Sequence, residues 1–92
     1  MRTPEGKVKD EVKKYLDGLG AYHFWPVQTG YGSATVDCIG CYKGHFFASE
    51  TKRPGGKPTP RQLATLAKMH AAGGFGFVAD CLDDVVAAFR NR

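Results

Sequence analysis

Three residues in this chain combine types and spacing that could do hydrolytic chemistry. Glu50 and Lys52 stand two apart in FFASETKR, and Asp37 lies thirteen residues upstream in VDCIGCY. Both segments read as β-strands, and the Lys43-Gly44 pair between them reads as a two-residue hairpin turn. With that turn, Tyr42 pairs with His45, Cys41 with Phe46 and Asp37 with Glu50. The two carboxyl groups then face each other across the ladder with Cβ atoms about 4.5–5.5 Å apart, an arrangement that is destabilising unless a cation lies between them. Side chains alternate along a strand, so Asp37, Ile39, Cys41, Phe46, Ala48, Glu50 and Lys52 share one face. One end of that face is apolar and suits burial under a helix. The other end holds two acids and a lysine. A hard divalent cation such as Mg²⁺ fits between the acids, completing its shell with water and phosphate oxygens. Lys52 could then orient or deprotonate a water, or stabilise charge on a phosphate.

The elements that must position these residues follow from hydrophobic spacing. Thr3-Pro4 opens a helix over residues 4–18, with Val8, Val12, Tyr15, Leu16 and Leu19 on one face and Gly18 and Gly20 closing it. Stepping back from Val8 along that face puts Glu5 inward, whereas Lys7 and Lys9 point away; its alternative role is that of an acid at a helix N-terminus. Residues 21–27 are aromatic and β-prone and predict a strand ending near Pro26, followed by the glycine-rich loop QTGYGSAT. The hairpin strands span 36–42 and 45–53. A break through Pro54-Gly55-Gly56 leads to a second helix from Thr59 to about Ala72, where Thr59 and Gln62 have capping-box spacing. FGFVAD is a short strand, and CLDDVVAAF a terminal helix capped by Asp80. The order αβββαβα describes one small domain with a mixed sheet.

Composition is compatible with a nucleic-acid partner. The 92-residue chain carries a net charge of +4, and Lys52, Arg53, Lys57, Arg61 and Lys68 fall in one stretch without an acid. That stretch is a candidate phosphate-facing surface, with a solvated face as its alternative. Tyr31, between two glycines, could stack on an unpaired base. The size of the chain, near the limit at which burial alone sustains a fold, makes a homodimer a natural expectation. Three cysteines, an odd number, and no secretory-type leader lead us to expect a cytoplasmic, reduced protein; no run of residues suits a membrane span. Cys38-x-x-Cys41 has zinc-knuckle spacing, with His45 and His70 as possible completions, but residues three apart on a strand point to opposite faces. The loop glycines lack the G-K-[ST] of a P-loop.

V-D-(12 residues)-E-T-K, with an inward Glu on the first helix and KPTPRQ opening the second, resembles the PD-(D/E)xK nuclease superfamily, and within it the VRR-NUC family in its stand-alone, phage-type form. The resemblance runs from about Pro4 to Val78. It implies a restriction-endonuclease-like αβββαβ core, here extended by a C-terminal helix, and hydrolysis of DNA phosphodiester bonds with Mg²⁺ or Mn²⁺. It further implies homodimers acting on branched DNA such as Holliday junctions, in a bacterial or phage-infected host cytoplasm. Asp37, Glu50 and the backbone carbonyl of Thr51 would be metal ligands, Lys52 the catalytic lysine, Glu5 the helix-borne acid and Gln62 an active-site residue. The proline usual before the acid is Val36 here. A non-catalytic DNA-binding module on the same fold is the rival reading.

Overall fold

The computed structural model describes residues 2–27 and 36–90. Its elements are α1 (Pro4–Leu19), β1 (Tyr22–Phe24), β2 (Cys38–Tyr42), β3 (His45–Thr51), α2 (Pro60–Ala71), β4 (Phe75–Ala79) and α3 (Leu82–Phe89), in the expected αβββαβα order. The sheet order is β1-β2-β3-β4. The first two pairings are antiparallel and β3–β4 is parallel, so the sheet is mixed. α2 carries the chain across between the parallel strands, as a parallel pair requires.

The two faces of the sheet are covered differently. Cys38, Phe47, Phe75 and Ala79 pack against Val8, Val12 and Leu16 of α1 and Val85 and Phe89 of α3. Ala48 packs with Val36 and with Leu66 of α2 on the other face, joined by Ile39, Met69 and Val78. The result is a three-layer sandwich. Its larger core is organised around the Phe89 ring, which meets Phe47, Phe75, Phe77 and Tyr42 edge-on at centroid distances of 5.1, 5.3, 5.6 and 5.6 Å. Such edge-to-face pairs add to area burial because the positive ring edge meets a negative ring face. Gly40 is required at the centre of β2: a Cβ there would lie 2.2 Å from the Tyr22 carbonyl oxygen and 2.5 Å from the Phe47 ring.

The turn is Lys43-Gly44, with φ of 51° and 81°, the left-handed pair that a tight hairpin demands. The register Cys38↔Ser49 through Tyr42↔His45 is the one the sequence predicts. Several boundaries differ. β1 is shorter than 21–27, the hairpin strands stop short of Val36 and Arg53, and α1 runs through Gly18 to Gly20, whose left-handed conformation closes it. Asp80 is not the cap of α3; Cys81 holds that position, without a side-chain cap bond. The Asp80 carboxylate instead accepts the Gly55 backbone N–H at 3.0 Å, which ties the turn after β3 to the end of β4. Tyr22, Phe24 and Phe46 remain exposed beside the edge strand. No helix among the described residues is long and apolar enough to cross a membrane.

Candidate active site

Glu50 lies near the end of β3, one of the most completely buried side chains of the protein at 1% exposure. Alternation along the strand turns it toward α2, where Gln62 meets it: Gln62 Nε2 donates to Glu50 Oε2 at 3.0 Å. The same Gln62 side chain accepts the Thr59 backbone N–H on Oε1 at 2.9 Å, while Thr59 Oγ1 accepts the Gln62 N–H at 3.2 Å. Gln62 thus makes the cap that its spacing predicts and a carboxylate contact as well, two roles that the sequence allows together. Glu50 Oε1 is buried and has no hydrogen-bond partner among the described residues.

Burial pushes the Glu50 carboxyl up to about 7; the nearby Asp37 charge adds to the rise, and the Lys52 ammonium opposes it. The Asp37 charge thus reinforces at Glu50 what burial does already. Asp37 itself stands outside the ladder, which ends at Cys38↔Ser49, one pair short of the expected Asp37–Glu50 pair. The chain bends at Asp37, and Asp37 Oδ2 accepts the Thr51 backbone N–H at 2.9 Å. In a continued antiparallel ladder that donor would have gone to a backbone carbonyl. A short carboxylate competes well for such a donor. The bend thus exchanges one rung of the sheet for a carboxylate anchored between the β2 and β3 ends.

Two further groups complete the surroundings. Lys52, half-buried, follows β3, and its backbone N–H donates to Ala79 O at 2.8 Å, prolonging the contact with β4 beyond Thr51. On the α1 side, Lys9 Nζ lies 3.9 Å from Asp37 Oδ1 and 3.8 Å from Glu5 Oε2. Sorted by the apolar stripe alone, α1 turns Lys9 away from Glu5 and the site. The structure corrects this, since residues four apart on a helix share a face. Glu5 is partly exposed in the first turn of α1 and reaches Asp37 through that lysine. Arg53, Lys57 and Arg61 are all exposed, the first two in the segment between β3 and α2 and Arg61 in the first turn of α2. Tyr31 lies outside the described residues.

The site therefore unites Asp37, Glu50, Lys52 and Gln62, with Glu5 at its margin. The donor set consists of hard carboxylate oxygens, one of them buried and without a partner among the described residues, and this fits a divalent cation of the Mg²⁺ type. Zinc at the CxxC spacing does not fit: Cys38 is buried in the larger core and Cys41 is exposed, on the opposite face. A second cluster, Asp80, Cys81 and Asp84, lies beyond β4. Its carboxylates already accept the backbone N–H groups of Gly55 and Asp80. His23, bonded to Asp17 at 2.7 Å and to the Trp25 indole N–H at 2.9 Å, and His70, bonded to the Gly76 backbone, hold structure.

The small α/β sandwich thus places one acid just before β2, a second near the end of β3 and a lysine two residues beyond that second acid. The fold is that of a VRR_NUC domain: a solved structure so described superposes with a TM-score of 0.79 over 97% of this chain and 97% of its own, at 24% sequence identity. At that identity the likeness establishes the fold. No family model matches the sequence, and no curated protein matches it.

Proposed function

We propose that the protein is an endodeoxyribonuclease that hydrolyses phosphodiester bonds with Mg²⁺ or Mn²⁺, acting as a homodimer on branched DNA such as Holliday junctions. The observation that carries this reading is the buried, partly unsatisfied Glu50 carboxyl beside Asp37 and Lys52, on the fold of a VRR_NUC domain. A carboxyl group kept in so costly a state is a mark of a functional site rather than of a stabilising one. Asp37, Glu50 and the Thr51 carbonyl would hold the ion. When bound, the ion supplies positive charge against the phosphate oxygens and acidifies water.

The chain's own residues supply the rest. Gln62 fixes the orientation of Glu50, and the Thr51 N–H fixes that of Asp37, so the two acids are positioned before any ligand arrives. Lys52 brings an ammonium to the same end of the sheet, where it would orient the attacking water or stabilise charge developing on the phosphate. Arg53, Lys57 and Arg61 would hold flanking phosphates from exposed positions. A protomer of 10.0 kDa with one such site cuts one strand. Paired cuts in a four-way junction need two copies related by a two-fold axis.

The test is cleavage of Holliday junction, flap, duplex and single-stranded DNA side by side, in Mg²⁺, in Mn²⁺ and in EDTA. Metal-dependent cutting that favours the junction, with paired nicks on opposing strands and a dimer in solution, is the expected result. DNA binding without cutting in either metal would replace the enzyme with a DNA-binding module.

A further inference from the structure

Lys9 is the feature of the site that hydrolysis does not explain. Its ammonium lies between Asp37 Oδ1 and Glu5 Oε2, at 3.9 and 3.8 Å, and the lysine side chain is only 30% exposed. Lys7, two residues away on the same helix, is exposed. We propose that Lys9 is the internal counter-ion of the carboxylate site, occupying the electrostatic position that a divalent cation takes over, so that it sets how tightly the protein holds its metal. This inference rests on the metal-dependent reading above.

Charge makes the case. Glu5, Asp37 and Glu50 bring three carboxyl groups to one end of the sheet, and two ammonium groups, those of Lys9 and Lys52, offset them. Without such an offset, acids gathered at short range repel and raise the free energy of the folded chain. Of the two acids that Lys9 reaches, Asp37 has the more to lose, because its side chain is 18% exposed against 43% for Glu5 and water screens it less. An ion arriving beside Asp37 meets the lysine already there. Either Lys9 swings away, which its flexible four-carbon stem permits, or cation repels cation across a few ångströms. Both courses weaken metal binding. Their benefit is a site that is held together while empty and does not retain its ion indefinitely.

The contacts are longer than those of a tight ion pair. This suits a group that must yield: pairs of partly exposed charges at such distances are weak, equivalent to roughly a two- to five-fold change in a binding constant.

The experiment is titration of the whole protein with Mn²⁺, with no DNA present, reading free Mn²⁺ by its electron paramagnetic resonance signal at fixed ionic strength. Wild type is compared with Lys9→Met, which keeps the length and apolar stem, and with Lys7→Met, which removes the same charge from the solvent face. Lys9→Met should bind Mn²⁺ about two- to five-fold more tightly than wild type, and Lys7→Met should match wild type. Thermal melts give a second readout. In EDTA, Lys9→Met should melt below wild type because Asp37 has lost its counter-ion, and saturating Mn²⁺ should raise its melting temperature by more than it raises that of wild type. Equal or weaker Mn²⁺ binding by Lys9→Met, or an equal gain for Lys7→Met, overturns this inference and leaves the metal-dependent reading standing. Absence of Mn²⁺ binding in all three proteins overturns both.

Discussion

The protonation of Glu50 offers a direct test of the site without DNA. Its carboxyl has an ordinary value of 4.5, and in the folded chain burial and the Asp37 charge push it up to about 7. Between those two values the folded protein holds a proton that the unfolded chain has released. Stability in EDTA therefore falls as pH rises through this window, and the penalty is complete once pH exceeds the folded value. A shift of this size corresponds to about 3 kcal/mol. Glu50→Gln removes the ionisation and keeps the shape. Its amide oxygen can still accept from Gln62, but its NH₂ group must occupy the place of the unpartnered Oε1, at a cost of about 1 kcal/mol. The variant should thus be more stable than wild type at pH 8 by about 2 kcal/mol, on the order of 10 °C in melting temperature for a domain of this size. At pH 5 the advantage should vanish or reverse. Mg²⁺ should raise the melting temperature of wild type at pH 8 and leave the variant nearly unchanged, since a ligand stabilises only the state that binds it. Thermal melts of both proteins from pH 5 to 8, with EDTA and with Mg²⁺, measure all of this. A Gln variant less stable than wild type at pH 8, or a difference independent of pH, would refute the account of Glu50.

Other outcomes follow from the same geometry. Lys52→Ala should abolish cutting with little change in DNA affinity, whereas Lys57→Ala and Arg61→Ala should weaken binding and each flatten its log–log salt dependence by about one unit; equal binding losses in all three would reverse the assignment. Gln62→Ala loses half a capping box and the hydrogen bond to Glu50, and chemical denaturation should show a loss of about 1–3 kcal/mol. Gln62→Glu keeps an acceptor for Thr59 but sets a carboxylate against Glu50, so it should cut poorly at high pH and recover toward the pH at which one acid is protonated. Phe89→Ala empties the centre of the aromatic cluster and should cost about 3–5 kcal/mol, measured by denaturant unfolding.

Local signals in the sequence were strong where a single element decides the outcome. Lys43-Gly44 sets the hairpin turn and with it the whole β2–β3 register, and Thr59-Pro60 with Gln62 marks the start of α2 to the residue. Legibility ended where a side chain overrules a periodic pattern or reaches across the fold. Strand alternation carries the ladder on to Asp37 because it has no term for a carboxylate that captures the Thr51 N–H. Asp80 has the residue type of a helix cap, yet its partner is Gly55 in a distant turn, which nothing local in the sequence reveals. Lys9 was readable in principle: it lies four residues from Glu5, but a helix sorted only into apolar and polar faces hides a polar residue at the boundary.

The parallel pairing of β3 with β4 has a consequence for how the protein comes into being. Asp37, Glu50 and Lys52 all lie on the hairpin or at its ends, and a two-residue turn closes such a unit within microseconds. Gln62 and the β4 edge reach the site only after residues 52–74 have looped over the sheet, a closure whose entropy must be overcome before its contacts form. During synthesis the two acids can meet before the amide that steadies Glu50 is in place. Wild-type refolding followed in stopped flow should then be slower at pH 8 than at pH 6, with Glu50→Gln insensitive to that change, if the acids already oppose each other at the folding barrier.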